Sequence, residues 1–206
     1  MAARELILAS ASPRRRELLA RAGLVFRVHA SRVDESIDPR TPPEQAALEL
    51  AERKARAVAR ELGPLAAIAI AADTIVALEN GSMLGKPADA LEAQVMLRSL
   101  SNTRHRVITG VCCLDLENAR LARGFERTFV SMRTISDAEV AAYVASNEWQ
   151  DKAGGYAIQE NADRFVTGLE EGGFDNVVGL PVALTLRLLG EWPSAERPEA
   201  TAGPGA

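Results

Sequence analysis

The chain has 206 residues, of which 47% are hydrophobic and 25% are charged, values typical of a globular protein with enough length for a proper core. Its formal net charge is −4, so it has no overall positive field that would attract nucleic acid or an acidic membrane surface. Aromatic residues make up only 4%, which is few for stacking on single-stranded nucleic acid. We therefore expect neither a nucleic-acid partner nor a membrane partner.

The apolar runs and the cysteines indicate the cellular compartment of the protein. Residues 6–9 are too short for the apolar region of a signal peptide, and residues 65–72 are far short of a membrane span. Cys112 and Cys113 are adjacent inside an apolar run and lack the spacing of a zinc site. We interpret them as core residues in a reducing compartment and expect a cytoplasmic protein.

Strand and helix patterns follow one another from the start of the chain. An apolar strand at residues 4–9 leads into a helix with Ser12 as its N-cap and Pro13 at its first position, and a second strand follows at residues 24–30. A Pro-rich loop then precedes a helix at about residues 43–62. Its apolar side chains repeat at helical spacing, and Lys54 lies at the margin of that stripe: Leu48, Ala51, Ala55, Val58 and Leu62.

A buried strand at the middle of the chain runs up to Asp73 and continues beyond it. Asn80-Gly81 predicts a hairpin turn, and Asp89 with Glu92 predicts a capping box that opens a helix to about Leu100. Long strands are predicted at residues 104–116 and 125–135, and a helix opened by a Ser136–Glu139 capping box follows them. The segment "NVVGLPVALTLRLLG" predicts one closing helix.

This irregular alternation of strands and helices, with one hairpin, predicts an α/β protein with a mixed sheet. We expect a single domain over residues 1–192 and a disordered tail over residues 193–206, which are rich in Pro, Ala, Gly and charge.

Three arginines, Arg14 to Arg16, occupy the first turn of the first helix. The helix dipole is already positive at that end and disfavours cations. A bound phosphate chain would resolve this conflict, because helix N-termini and arginines both bind phosphate. Ser10 and Ser12 could donate hydrogen bonds from the same loop. The alternative is a solvated helix face, and the sequence leaves both open.

Two acids and two lysines also allow either a functional or a purely structural interpretation. Asp73 ends an apolar run and needs a cation or a metal beside it, although a structural salt bridge would satisfy the same requirement. Glu35 could serve solubility alone, and Lys54 could be a half-buried lysine with its charge in water. Lys86 lies in a weak "GKP" motif that is not a P-loop. Taken together, these carboxylates and cations fit a site where Mg²⁺ assists attack on a phosphoanhydride.

The chain resembles the Maf (septum formation inhibitor-like) family of nucleoside triphosphate pyrophosphatases. The segments that carry the resemblance occur in the family's order and spacing over about residues 5–190: "ASASPRRREL", "VDES", "ERKARAVA", "AADTIVAL", "LGKPADALEAQVMLRSLS", "VITGV", "DKAGGYAIQ" and "NVVGLP". The resemblance implies hydrolysis of a nucleoside triphosphate to the monophosphate and pyrophosphate, with Mg²⁺, Mn²⁺ or Co²⁺ as cofactor. It also implies a curved sheet with a cleft between two lobes, related to the inosine triphosphate pyrophosphatases, and a homodimer.

The same resemblance assigns roles to individual residues. It makes Asp73 the catalytic proton acceptor and, with Glu35, a metal ligand. Residues that match the family's phosphate-binding or substrate-selecting positions are Ser10, Arg14, Arg15, Lys54, Thr74, Lys86 and Gln159. The "DKAGGYAIQ" segment resembles the dTTP/UTP subgroup, although Glu160-Asn161 follows where the family commonly has Gly. The alternative function is a non-enzymatic nucleotide-binding regulator of septum formation, which would need the cations but not Asp73.

Overall fold

A mixed sheet of seven strands forms the centre of the protein. The computed structural model describes residues 4–190. The strands lie in the order β2-β1-β3-β5-β6-β7, and β4 pairs with β3. Strand β1 runs parallel to β2 and β3, whereas the other neighbours are antiparallel. The strands are β1 (Glu5–Leu8), β2 (Phe26–Val28), β3 (Ala67–Ala77), β4 (Met83–Leu84), β5 (Arg104–Asp115), β6 (Leu121–Met132) and β7 (Val166–Glu170).

Helices cover both faces of this sheet, which confirms the predicted fold class. They are α1 (Pro13–Arg21), α2 (Pro43–Leu62), α3 (Ala90–Leu100), α4 (Asp137–Ala145), α5 (Phe174–Val178) and α6 (Val182–Leu189). Short 3-10 turns occur at Ala153–Gly155 and Asp163–Phe165. No helix in the part of the chain that the structure describes is long and apolar enough to cross a membrane.

Helix α2 covers one face of β3. Its buried side chains pack against the odd-numbered positions of the strand, including Ala69, Ala71 and Ile75. Gly110 of β5 allows this close approach, since a Cβ there would lie 2.4 Å from the backbone oxygen of Ala47. Any residue other than glycine at position 110 would push α2 away from the sheet.

The opposite face of β3 carries two separate cores. Ile68, Ile70 and Ala72 belong to a cluster with residues of α1 and α6. Val76 belongs to a second cluster with residues of α3 and α4. Thr74 lies between them on the same face, because side chains alternate along a strand. The two cores are the two lobes that the family resemblance implies, and the groove between them passes over Thr74.

Several predicted element boundaries were wrong. Strand β3, by contrast, continues beyond Asp73 to Ala77 as predicted, so this acid lies inside a strand. The predicted closing helix, with Pro181 near its start and Gly190 at its end, is α6, but the preceding residues form a separate helix α5 because Gly179 adopts a φ of 123°. Strand β6 begins at Leu121 and ends at Met132, several residues earlier than predicted. The proposed tail at residues 193–206 lies outside the described residues.

Other local predictions were confirmed. Helix α2 has the predicted bounds, and Cys112 and Cys113 form no disulfide and are fully buried. The capping box of Ser136 and Glu139 is complete. The other expected box is partial, since Asp89 accepts from the Glu92 amide while the Glu92 carboxylate accepts from Ala88. Ser12 occupies the N-cap of α1, but its side chain makes no capping hydrogen bond.

Candidate active site

The candidate site lies at a gap in the sheet. On one side of β3, pairing with β1 ends at Ile70 and pairing with β4 begins at Val76. No strand within residues 4–190 pairs with β3 on this side at residues 71–75. The segments that follow β1 and β4 carry Ser10 and Lys86, so both reach this gap. The gap therefore opens the middle of a buried strand to the cleft, at Asp73.

A buried lysine links the two acids of the site. The Nζ atom of Lys54 lies 2.5 Å from Oδ1 of Asp73 and 2.7 Å from Oε1 of Glu35. Lys54 and Asp73 are each only 8% exposed. Lys54 lies between Leu50 and Val58, one turn away on either side and both buried, so it belongs to the inner face of α2. The prediction that it lies at the margin of the apolar stripe was wrong, because the buried face of α2 includes Leu50 and is turned toward Lys54.

Glu35 also binds Lys86, whose Nζ atom lies 3.1 Å from Oε2. Burial of Glu35 raises its pKa, but hydrogen bonds and charges from Lys54 and Lys86 more than offset that effect and lower the pKa to about 2. Glu35 is therefore ionised at neutral pH. Arg53 holds the loop that carries it by donating to the backbone oxygens of Asp34 and Ser36.

The neighbouring arginines of α1 have different roles. The Nε atom of Arg15 donates to the Gly179 oxygen at 2.8 Å, and its Nη2 donates to Oγ1 of Thr74 at 3.1 Å. Burial is the main cause that lowers the Arg15 pKa, while the charge of Asp73 opposes it. Arg14 lines the cavity and makes no hydrogen bond or ion pair with the residues that the structure describes. Arg14 is therefore the cation available to a ligand, and Arg15 fixes the wall of the site.

Other residues of the arginine segment lie further from the cavity. Ser10 is 8% exposed, and its Oγ accepts from the Ser12 amide at 3.2 Å and from Arg15 at 3.4 Å. It lies one hydrogen bond behind the cavity wall rather than in it. Arg16 is exposed and points outward, as the solvated-face interpretation predicts. Of the three arginines, Arg14 is available to a phosphate ligand, Arg16 lies on a solvated helix face, and Arg15 has a structural role.

A cavity of about 140 Å³ occupies the cleft above Thr74. Its cationic end contains Arg14, Lys54 and Lys86, and its other end is a wall of apolar side chains closed by the 151–159 segment. That wall contains Val76, Val107, Tyr156, Ala157, Ile158, Val177 and Val178. Gln159 lines the same space, and its amide has no partner among residues 4–190. The cavity thus combines cations that can bind anionic groups with an apolar wall against which a flat ring with polar edges can pack.

The two residues that depart from the family pattern turn away from this cavity. Glu160 binds Nζ of Lys152 at 3.1 Å, and the Asn161 amide donates to Glu148 at 3.1 Å. The charge of Glu160 is therefore paired within its own loop. Because Lys152 lines the cavity, its ion pair with Glu160 lies at the cavity rim.

A divalent cation would find two carboxylates here. Mg²⁺ commonly binds one or two protein carboxylates and completes its shell with phosphate oxygens and water. Glu35 and Asp73 share Lys54, so both face the same point of the cleft. No group of three His, Cys, Asp or Glu residues forms a closed metal cage in the described range. This donor set fits an ion that a phosphate substrate helps to bind.

Sequence reasoning missed the support behind Thr74. Oγ1 of Thr74 lies 3.0 Å from Oγ1 of Thr109, and Thr109 donates to the Asn176 backbone oxygen at 2.8 Å. Thr109 and Asn176 are fully buried. Both lie in motifs that carry the family resemblance, "VITGV" and "NVVGLP", but nothing in their type signals a polar chain across the sheet. The contact depends on the register that pairs Thr74 with Thr109.

A mixed α/β sheet with carboxylates, lysines and an arginine-bearing helix terminus around one cleft is an arrangement suited to binding phosphate groups. The chain belongs to the Maf family, since the family model described as Maf-like protein matches residues 5–192.

Three similar proteins bear the same functional name. The dTTP/UTP pyrophosphatase of Caldicellulosiruptor saccharolyticus is 46% identical over 181 residues, which cover 87% of this chain and 90% of that protein. The dTTP/UTP pyrophosphatase of Salinibacter ruber is 45% identical over 184 residues, 89% of each chain. The protein of the same name from Pyrococcus abyssi is 44% identical over 184 residues, 89% of this chain and 94% of that protein.

Proposed function

We propose that this protein is a nucleoside triphosphate pyrophosphatase that hydrolyses dTTP and UTP to the monophosphate and pyrophosphate. Membership of the Maf family and the names of relatives at about 45% identity support this function. The structural observation that carries it is the buried pair of Asp73 and Lys54 at the gap in the sheet. A protein that only bound nucleotide would need the cations of the cleft but would not need a carboxylate at Asp73 to take a proton from water.

The shape and charge of the cavity support one orientation of the substrate. The triphosphate lies at the cationic end, where Arg14, Lys86 and the free amides of the α1 N-terminus are available. The base lies against the apolar wall, with its polar edge toward the Gln159 amide. In this orientation the α-phosphate lies near Asp73, which pairs with Lys54 of the cationic end.

Glu35 and Asp73 would hold the divalent cation. When bound, such an ion offsets the charge of the phosphates and makes a bound water more acidic. The depressed pKa of Glu35, about 2, keeps that carboxylate anionic and able to bind a cation at neutral pH. Lys54 keeps the two carboxylates near each other without a substrate, because alone they would repel.

In the reaction, a water oxygen attacks the α-phosphorus and the bond from that phosphorus to the bridging oxygen of the β-phosphate breaks. The proton of the water passes to the Asp73 carboxylate, and the departing pyrophosphate takes the electron pair. Lys86 and Arg14 stabilise the negative charge that grows on the departing group. Lys54 orients the Asp73 carboxylate through Oδ1 and leaves Oδ2 for the water.

The test is a panel of nucleoside triphosphates with Mg²⁺ in which products are separated by chromatography. We expect dTTP to give dTMP and pyrophosphate, and UTP to give UMP and pyrophosphate. Release of dTDP and orthophosphate would overturn the proposal, and so would the absence of turnover with every nucleotide in the presence of Mg²⁺, Mn²⁺ or Co²⁺.

Two further proposals rest on the family and on composition, namely a cytoplasmic location and a homodimer. Analytical ultracentrifugation of the full chain tests the second, and a mass of 22.1 kDa would show a monomer.

A further inference from the structure

A second cavity, of about 480 Å³, adjoins the first at the gap in the sheet. Four residues line both cavities: Asp73, Thr74, Lys86 and Ala153. Side chains alternate along β3, so Thr74 lies on the face of the first cavity and Ile75 lies on the face that α2 covers, where it lines only the second. The gap therefore connects spaces on opposite faces of the sheet, and Asp73 lies where they meet.

The second cavity is apolar beyond Lys86. Four of its lining side chains belong to, or pack against, the core cluster between α2 and β3: Ile37, Leu50, Ile75 and Met83. Within residues 4–190, Lys86 is the only cation that lines this cavity, whereas Glu35 and Asp73 are both acids at its border. A phosphate buried among apolar side chains without a cation is costly. The space beyond Lys86 therefore suits an uncharged apolar group.

A nucleoside triphosphate in the proposed orientation has its distal end toward this second cavity. Its base would lie beside Gln159 in the first cavity, and its α-phosphate would lie near Asp73. Lys86 is the only cation of the described chain that lines both cavities. The terminal phosphate that pairs with Lys86 would thus lie at the entrance of the second cavity, and a group joined to that phosphate would enter it.

The second cavity is large enough for an aromatic ring. An apolar cavity of about 150 Å³ can bind benzene, and sites for small molecules commonly occupy about 300–1,000 Å³. At about 480 Å³ the second cavity lies within that range. A ring buried against Ile75 and Met83 would add hydrophobic free energy to the binding of the phosphates.

We propose that the second cavity is a subsite for a ring group on the terminal phosphate, and that the protein also hydrolyses nucleoside polyphosphates esterified at that end. Dinucleoside polyphosphates, which carry a second nucleoside there, belong to this class. An ester removes one ionisable oxygen from the terminal phosphate, so less negative charge meets Glu35 and Asp73. The inference rests on the proposed function and deepens it, since it names a further class of substrate for the same site.

The chemistry at the α-phosphorus is unchanged for such a substrate. With the γ-phenyl ester of UTP, a water oxygen attacks the α-phosphorus, and the bond from that phosphorus to the oxygen that bridges to the β-phosphate breaks. One proton of the water passes to the Asp73 carboxylate, and the electron pair of the broken bond leaves with phenyl diphosphate. The products are UMP and phenyl diphosphate, so the bond between the phenyl ring and its oxygen stays intact.

The experiment compares kcat/KM for the γ-phenyl and γ-methyl esters of UTP, which carry the same charge and differ in the ring. We expect the phenyl ester to be favoured about tenfold in the parent, because its ring is buried. Met83→Trp fills the cavity from β4 and Ile37→Trp fills it from the loop before α2, so each should bring the phenyl-to-methyl ratio close to one. Leu91→Trp is the matched control, because Leu91 is exposed on α3 and lines neither cavity, and it should keep the parent ratio.

The parent protein decides the question even if neither tryptophan variant of the cavity folds. A phenyl-to-methyl ratio near one in the parent overturns the inference. Retention of the parent ratio in folded Met83→Trp or folded Ile37→Trp overturns it as well. Chromatography identifies the products, and release of phenol in place of phenyl diphosphate would show that the ring does not lie beyond an intact terminal phosphate.

Binding measurements keep this test independent of turnover. Calorimetric Kd values for the α,β-methylene analogues of the two esters, whose bridging carbon resists cleavage, should show the same ratio. A parent protein that releases no pyrophosphate from UTP would disprove the proposed function alone, whereas equal Kd values for the two analogues would disprove the subsite alone.

Discussion

Lys54 donates to Asp73 across the buried interface between α2 and β3, with 2.5 Å between Nζ and Oδ1. Loss of one partner from a buried ion pair typically costs about 3–5 kcal/mol because the other charge remains without compensation. Lys54 has a second partner, since Oε1 of Glu35 lies 2.7 Å away. The lysine therefore keeps a counterion whenever Asp73 is protonated, neutralised or occupied elsewhere.

The first prediction is that Asp73→Asn removes activity and keeps the fold. Asparagine has the same size and can still accept from Lys54, but it cannot take a proton from water. We expect kcat/KM to fall at least about a thousandfold and the free energy of unfolding to change by less than about 2 kcal/mol. Pyrophosphate release and urea unfolding measure the two effects on the same sample. Near-parent turnover in a protein that unfolds early would show that the pair is structural.

Asp115→Asn is the matched control for that substitution. Asp115 is also buried and pairs with Arg4, but it lies at the far end of β5 from the cleft. We expect its loss to lower the free energy of unfolding by about 2 kcal/mol and to leave kcat/KM unchanged. The two variants should therefore have opposite patterns of stability and activity.

The second prediction separates the three arginines of α1. Arg14→Ala should raise KM for dTTP about tenfold or more and leave the melting temperature unchanged or slightly higher, because a cation leaves the positive end of a helix. Arg15→Ala should lose activity and also about 2–3 kcal/mol of stability, since it donates to Gly179, Ser10 and Thr74. Arg16→Ala is the control, and a KM equal to that of Arg14→Ala would contradict these assignments.

The sequence predicted most of the elements that bring the site residues together. Helix α2, the turn at Asn80-Gly81 and the box at Ser136 depend on local chemistry, so their signals lie within a few residues. Asp73 and the arginines of α1 became candidates because an acid is out of place in an apolar strand and cations are out of place in the first turn of a helix, whereas Thr74 and Gln159 became candidates only through the family resemblance. Such local conflicts are common where a ligand completes the structure.

Other features could not be read from the sequence because they depend on pairing between distant strands. The burial of Lys54 follows from Gly110 letting α2 approach the sheet. The break between α5 and α6 depends on Gly179 at a φ of 123°, and the carbonyl freed there accepts from Arg15. Thr109 supports Thr74 only because of the β3–β5 register. Each contact joins residues at least 35 positions apart, beyond the reach of periodicity or capping rules.

The third prediction concerns base recognition by Gln159. This side chain is exposed at the rim of the cavity, and a thymine or uracil ring offers its amide both a donor and an acceptor. We expect Gln159→Ala to lower the preference for dTTP over dATP about tenfold without a change in stability. Glu160→Gln is the neighbouring control, because Glu160 binds Lys152 rather than the cavity. An unchanged preference in Gln159→Ala would assign base choice to Thr74 and its support.

A buried histidine supports the segment that closes the apolar end of the cavity. Nε2 of His105 lies 2.8 Å from the hydroxyl of Tyr156, and the two rings meet edge to face. His105 is fully buried, and its Nδ1 has no hydrogen-bond partner in the described part of the chain. Burial lowers the His105 pKa to about 4, so the ring is neutral in the folded protein.

The last prediction is that His105 makes stability depend on pH between about 6.5 and 4. The unfolded chain binds a proton at this residue below its ordinary pKa of about 6.5, whereas the folded protein does so only below about 4. The stabilisation is therefore complete above pH 6.5 and is lost as the pH falls through this range, in total about 3 kcal/mol. His105→Gln removes the titrating ring and should flatten urea-unfolding free energies measured from pH 7 to pH 4, by that amount relative to the parent. His29→Gln is the control, since His29 lies near the surface beside Glu61. If His105→Gln keeps the slope of the parent, protons bind elsewhere on unfolding and His105 is not held neutral by the core.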